Sequence, residues 1–208
     1  MKQIDAMKGY AVVKVSDQVD MWRMIMKACN PWLTPAGQKW IFSILFVLAL
    51  VTLSILNIID LHLTTPVAPQ NIVSFELAGT LSKAQAILEA WGSSGKVYAG
   101  LSLGFDFFFI VVYAGAIALA CILLARSLKK PPLVLIGVIL AWMQLVAALM
   151  DSTENFALIQ LLLGSSRELW PSLARSCAIV KFSLVGLGLI YIILGAFLVL
   201  VARVGKAK

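Results

Sequence analysis

Residues 133–150 read LVLIGVILAWMQLVAALM, and the next five, Asp151-Ser152-Thr153-Glu154-Asn155, turn abruptly polar. A helix that crosses a hydrocarbon core of about 30 Å needs roughly 20 predominantly apolar residues. The quoted stretch carries no charge, and Phe156 to Leu163 continues it without a helix breaker before Gly164. It therefore predicts a membrane span over about 133–153, whose helix runs on past its polar end. Three further stretches meet the same length: 41–59, 101–125 interrupted by Asp106, and 177–202 with Lys181 inside it. The fold class predicted is all-α, an integral membrane four-helix bundle over 40–204, preceded by an N-terminal segment, 1–39.

Composition agrees with lipid as the solvent. Hydrophobic residues make up 61% of the 208 and charged ones 13%, against about half and about a quarter in soluble domains. The net charge of +7 comes from short clusters beside apolar blocks, without a basic stripe carrying interleaved aromatics, so nucleic-acid binding is excluded. Cys29, Cys121 and Cys177 are widely spaced and predict neither a disulfide framework nor a zinc site.

Lys and Arg are retained in cytoplasmic flanks. Twelve lie before the first span, between the second and third, and after the fourth; Lys83, Lys96, Arg167 and Arg175 lie on the opposite side. Both termini are thus expected in the cytoplasm, with a bacterial inner membrane as the default setting. The first 30 residues do not read as a cleavable signal, because Asp5, Lys8, Lys14, Asp17, Asp20 and Arg23 break up any apolar region. From Ser16, the spacing of Val19, Trp22, Met26 and Cys29 predicts a cytoplasmic interfacial helix.

The first outer loop, 60–100, is long enough to need structure of its own. Leu77, Leu81, Ala84, Leu88 and Trp91 recur at helical spacing, which predicts an amphipathic helix stopped at Gly92.

Charges inside apolar spans are costly and mark either pairing or function. At about 1.5 Å per residue, Asp106, Asp151 and Lys181 lie about 28, 27 and 31 Å from the cytoplasmic ends of their spans, and Asp60 about 30 Å. All four spans thus carry a charge at the outer hydrocarbon boundary. Asp151, Glu154 and Asn155 share a helix face at steps of three and four. Gln144 and Tyr113, seven positions from Asp151 and Asp106, extend the polar faces inward. The candidate polar pocket, open outward, comprises Asp106, Tyr113, Gln144, Asp151, Glu154, Asn155 and Lys181. Small residues at Gly100, Gly104, Gly115, Ala116 and Ala118 in the second span and at Gly186, Gly188 and Gly195 in the fourth predict close packing of these two spans, with Lys181 near Asp106.

The layer reads either as a structural ion pair, Lys181 with Asp106 or Asp151, or as a site. No Walker loop, G-x-S-x-G elbow or H-E-x-x-H is present, and the single histidine, His62, offers no metal set; no metal or cofactor is expected. The leading expectation is a non-enzymatic accessory or binding component that meets a ligand, the lipid bilayer, a membrane partner protein or a second copy. The alternative is a small membrane enzyme acting on a lipid or isoprenoid-like substrate at the outer leaflet, with Asp106 or Asp151 as acid or base.

Overall fold

The computed structural model describes residues 35–128 and 130–204; the helix expected from Ser16 to Cys29 lies outside them. The chain separates into two units, 1–40 and 41–208. Of the first only 35–40 are described, and they are helical. All regular structure among the described residues is helical: α1 (Pro35–Asp60), a 3-10 turn (Leu61–Leu63), α2 (Ile72–Glu76), α3 (Leu81–Leu128), α4 (Pro131–Leu162) and α5 (Leu169–Val204).

Four of these elements are long and apolar enough to cross a membrane, which makes the fold that of a polytopic membrane protein. Their surface supports the same conclusion. Val111, Leu149 and Ile193, in α3, α4 and α5, are each about two-thirds exposed (68%, 64% and 67%). Faces of that kind are stable against lipid, where a helix also satisfies its own backbone polar groups.

Within unit 41–208, α3, α4 and α5 pack against one another, while α1 has few buried positions, Thr52 and Leu56 among them. Toward the 133 end of α4, Cys121, Ala141 and Tyr191 form a small core, and the Tyr191 hydroxyl donates to the Leu133 carbonyl at 3.0 Å. At Gly195 a Cβ would stand 2.4 Å from Leu124 Cδ2 of α3, and Gly188 is a second close approach of α5. A Cβ there would stand 2.9 Å from Gln144 Nε2 and from Ile117 Cγ2. At Gly100, Gly104 and Gly186 a Cβ would meet open space, so the close approach of the second and fourth spans falls instead at Gly188, against Ile117, and at Gly195, against Leu124. A small residue permits approach but does not say which face a neighbour takes.

The other end of the bundle is capped by the chain between α1 and α3. Leu63, Ala68 and Phe75 are fully buried against Trp91, Leu103, Ala157 and Leu158. The Trp91 indole N–H donates to the Leu63 carbonyl at 2.7 Å, and its ring meets Phe75 edge-on at 5.2 Å. At the start of α3, the Leu81 amide donates to Glu168 Oε2 at 3.1 Å. Such an amide has no partner within its own helix. The backbone of α3 is interrupted once, at Gly92 (φ 60°, ψ −161°), a conformation essentially closed to residues with a Cβ. Residues 81–91, which bury Ala84, Ile87, Leu88 and Trp91, thus take a different course from the span that follows.

Candidate functional site

Beneath the cap lies a connected set of polar side chains contributed by α2, α3, α4 and α5. Lys181 is its hub, with its ammonium 2.7 Å from Asp151 Oδ1, 3.0 Å from Glu154 Oε1 and 3.6 Å from Glu76 Oε2. The three-residue step between Asp151 and Glu154 puts both carboxyls on the face of α4 that meets α5. Asp151 uses its other oxygen to accept a 2.7 Å hydrogen bond from the Tyr113 hydroxyl. On the adjoining side, Asn155 donates to Asp106 Oδ2 at 2.7 Å. Close by, Ser102 donates to Asp60 Oδ1 at the same distance.

Burial makes these contacts consequential. The side chains of Lys181, Asp151 and Glu154 are 8%, 4% and 0% exposed. A charge so placed is tolerated only when paired and hydrogen-bonded. The pairing is incomplete: Glu76 Oε2, Glu154 Oε2, Asn155 Oδ1 and Gln144 Oε1 are buried and accept no hydrogen bond. Glu76 lies outside the spanning helices; burial raises the pKa of its carboxyl, and the Lys181 ammonium pulls it back down.

Of the seven residues singled out from the sequence, Asp106, Tyr113, Asp151, Glu154, Asn155 and Lys181 fall into this layer. Lys181 is bonded to Asp151 and Glu154, while Asp106 takes its hydrogen bond from Asn155. Gln144 stands apart, donating to the carbonyls of Leu140 and Leu184 at 3.2 Å each. Glu76 was missed, because it precedes the periodic apolar run and has no charged neighbour in sequence. Its signal was an acid between Phe75 and Leu77, in a loop too long to be a plain connection. Asp60, which the sequence does not assign to the pocket, lines the same cavity as the layer.

A cavity of about 420 Å³ opens beside the layer, between α1 and the α3–α5 bundle. Its walls are apolar, with Phe46, Leu50 and Leu53 from α1, Phe109 from α3, and Val185 and Leu189 from α5. Its polar end is formed by Asp60, Glu76, Asp106, Tyr113, Asp151 and Lys181. The volume lies within the roughly 300–1,000 Å³ of small-molecule sites, which share this pattern of apolar walls and a few convergent polar groups. Among the described residues, no group of three or more His, Cys, Asp or Glu is arranged to hold a metal ion; the Lys181 ammonium itself occupies the point where carboxylates converge.

No protein-family model, curated protein or solved structure matches the chain.

Proposed function

We propose that this polytopic membrane protein is a non-enzymatic binding component that holds an amphipathic, lipid-like ligand between α1 and the α3–α5 bundle. One observation carries the reading: an apolar cavity ends on a buried, incompletely satisfied polar layer. Apolar walls suit an acyl or isoprenoid-like chain, and the layer suits a headgroup. The distribution of Lys and Arg supports an outward-facing polar layer with both termini in the cytoplasm, so the ligand enters from the outer half of the bilayer.

Asp151 is poorly suited to acid–base work in this arrangement, since one oxygen is held by Lys181 and the other by Tyr113. Asp106 faces the cavity with a single neutral donor on it, Asn155, and is the carboxyl on which an enzymatic role would rest.

The test is retention of a fluorescent long-chain lipid analogue by the full chain in phosphatidylcholine nanodiscs. Ala49→Phe fills the cavity from the α1 wall and should reduce retention severalfold, with an unchanged elution profile. Retention equal to wild type would remove the cavity from the account. Turnover of lipid by the wild type that Asp106→Asn abolishes would establish the enzyme instead.

A further inference from the structure

The polar end of the cavity is unbalanced in two respects. Four carboxyls line it, on Asp60, Glu76, Asp106 and Asp151, with one ammonium among them. Its side-chain donors are already engaged: Lys181 donates to Asp151 and Glu154, Tyr113 to Asp151, and Asn57 to the Leu53 carbonyl. The site therefore offers acceptors and negative charge to whatever enters.

Glu76 adds an independent observation at the same end of the cavity. Its side chain is 9% exposed and lines the cavity, yet its Oε2 accepts no hydrogen bond. Lys181 Nζ is 3.6 Å away. A buried acceptor that a neighbouring ammonium meets only as an ion pair, without a hydrogen bond, is incompletely compensated, the more so when the group is charged. A headgroup that carries both hydrogen-bond donors and positive charge would complete that compensation. A phosphate, sulfate or carboxylate head would add acceptors and negative charge to a place that has both in excess.

We infer that the ligand is an amine-headed amphiphile: a protonated primary ammonium seated among Asp60, Glu76 and Asp106, with its alkyl chain along the Phe46, Leu50 and Phe109 wall. This rests on the cavity reading above and specifies its headgroup. The ammonium comes either from a free long-chain amine or from the ethanolamine head of a membrane lipid. The carboxyls of Asp60, Glu76 and Asp106 recognise the shared group.

The experiment compares labelled dodecylammonium, dodecanol and dodecanoate, three heads on one chain, for saturable retention by the full chain in phosphatidylcholine nanodiscs. Dodecylammonium should bind about tenfold or more tighter than dodecanoate, a factor worth about 1.4 kcal/mol. Asp106→Asn should narrow the preference for dodecylammonium over dodecanol severalfold. Equal retention of amine and carboxylate by the wild type overturns the headgroup assignment, whether or not the variant folds. If dodecanol is retained in that case, the cavity reading survives alone; if none of the three is retained, the cavity reading falls as well. Adding phosphatidylethanolamine to the discs separates the sources. Displacement of dodecylammonium assigns the lipid headgroup, its absence a free amine, and either supports the assignment provided the amine bound first.

Discussion

Lys181 carries more of the buried electrostatics than any other side chain, because three acids converge on one ammonium. Removing one partner of a buried ion pair leaves uncompensated charge and costs about 3–5 kcal/mol. Lys181→Met should therefore lower the melting temperature in detergent and the amount accumulating in the membrane, whereas Lys83→Met, at an exposed position of α3, should change neither. Glu76 gives the pH dependence. Lys181 faces it from α5, Asp151 and Glu154 from α4, and Asp106 from α3. Burial makes its folded carboxyl hold a proton more readily than the unfolded chain does. Its contribution is thus fully present below the ordinary glutamate pKa and is lost as pH rises through the folded value. Melting temperature should fall across that window, and Glu76→Gln should flatten the fall; an unchanged slope in the variant would assign the dependence to other groups.

Two residues on neighbouring helices show how far spacing alone could be read. Tyr113 and Gln144 stand at the same seven-residue offset from Asp106 and Asp151, about 10 Å along the axis, yet only Tyr113 joins the layer. Side chains on a helix lean toward its N-terminus. In α3 that direction leads back toward the capped end, and the long phenol reaches Asp151. In α4, which runs the opposite way, it leads away from the cap, and Gln144 bonds the Leu140 carbonyl. The offset was legible; its outcome depended on helix direction and side-chain length.

At the scale of elements, the backbone at Gly92 separates residues 81–91 from the span that follows. Its φ/ψ region costs about 1–3 kcal/mol for a residue with a Cβ, although a methyl there would touch nothing within 4 Å. Gly92→Ala should destabilise by that amount through the backbone alone. Gly100→Ala, in helical conformation with equally open space, should be neutral or stabilising by up to about 1 kcal/mol. Thermal unfolding of the two variants distinguishes them. The cap depends on Phe75, and Phe75→Ala should cost about 3–5 kcal/mol through the cavity it leaves while also loosening Glu76 beside it.

For the whole molecule, orientation is the property to measure first. A cysteine introduced at the exposed Ser93 should react with a membrane-impermeant thiol reagent in intact cells, and one at the exposed Ser127 only after lysis. The reverse pattern would place the polar layer on the cytoplasmic side.

Four spans, the level of the charges within them, and the common face of Asp151, Glu154 and Asn155 follow from hydropathy, residue rise and helical period, which are local properties of the chain. The partner of each charge does not follow, nor does the cavity. Lys181 could have met Asp106 or Asp151 from its depth alone, and it was the packing of α3, α4 and α5 that gave it Asp151 and Glu154. Glu76 reached the same ammonium only because the segment between α1 and α3 folds over the bundle end to bury Leu63 and Phe75. A contact between distant parts of the chain is set by how apolar surfaces cover one another, and no local pattern encodes it.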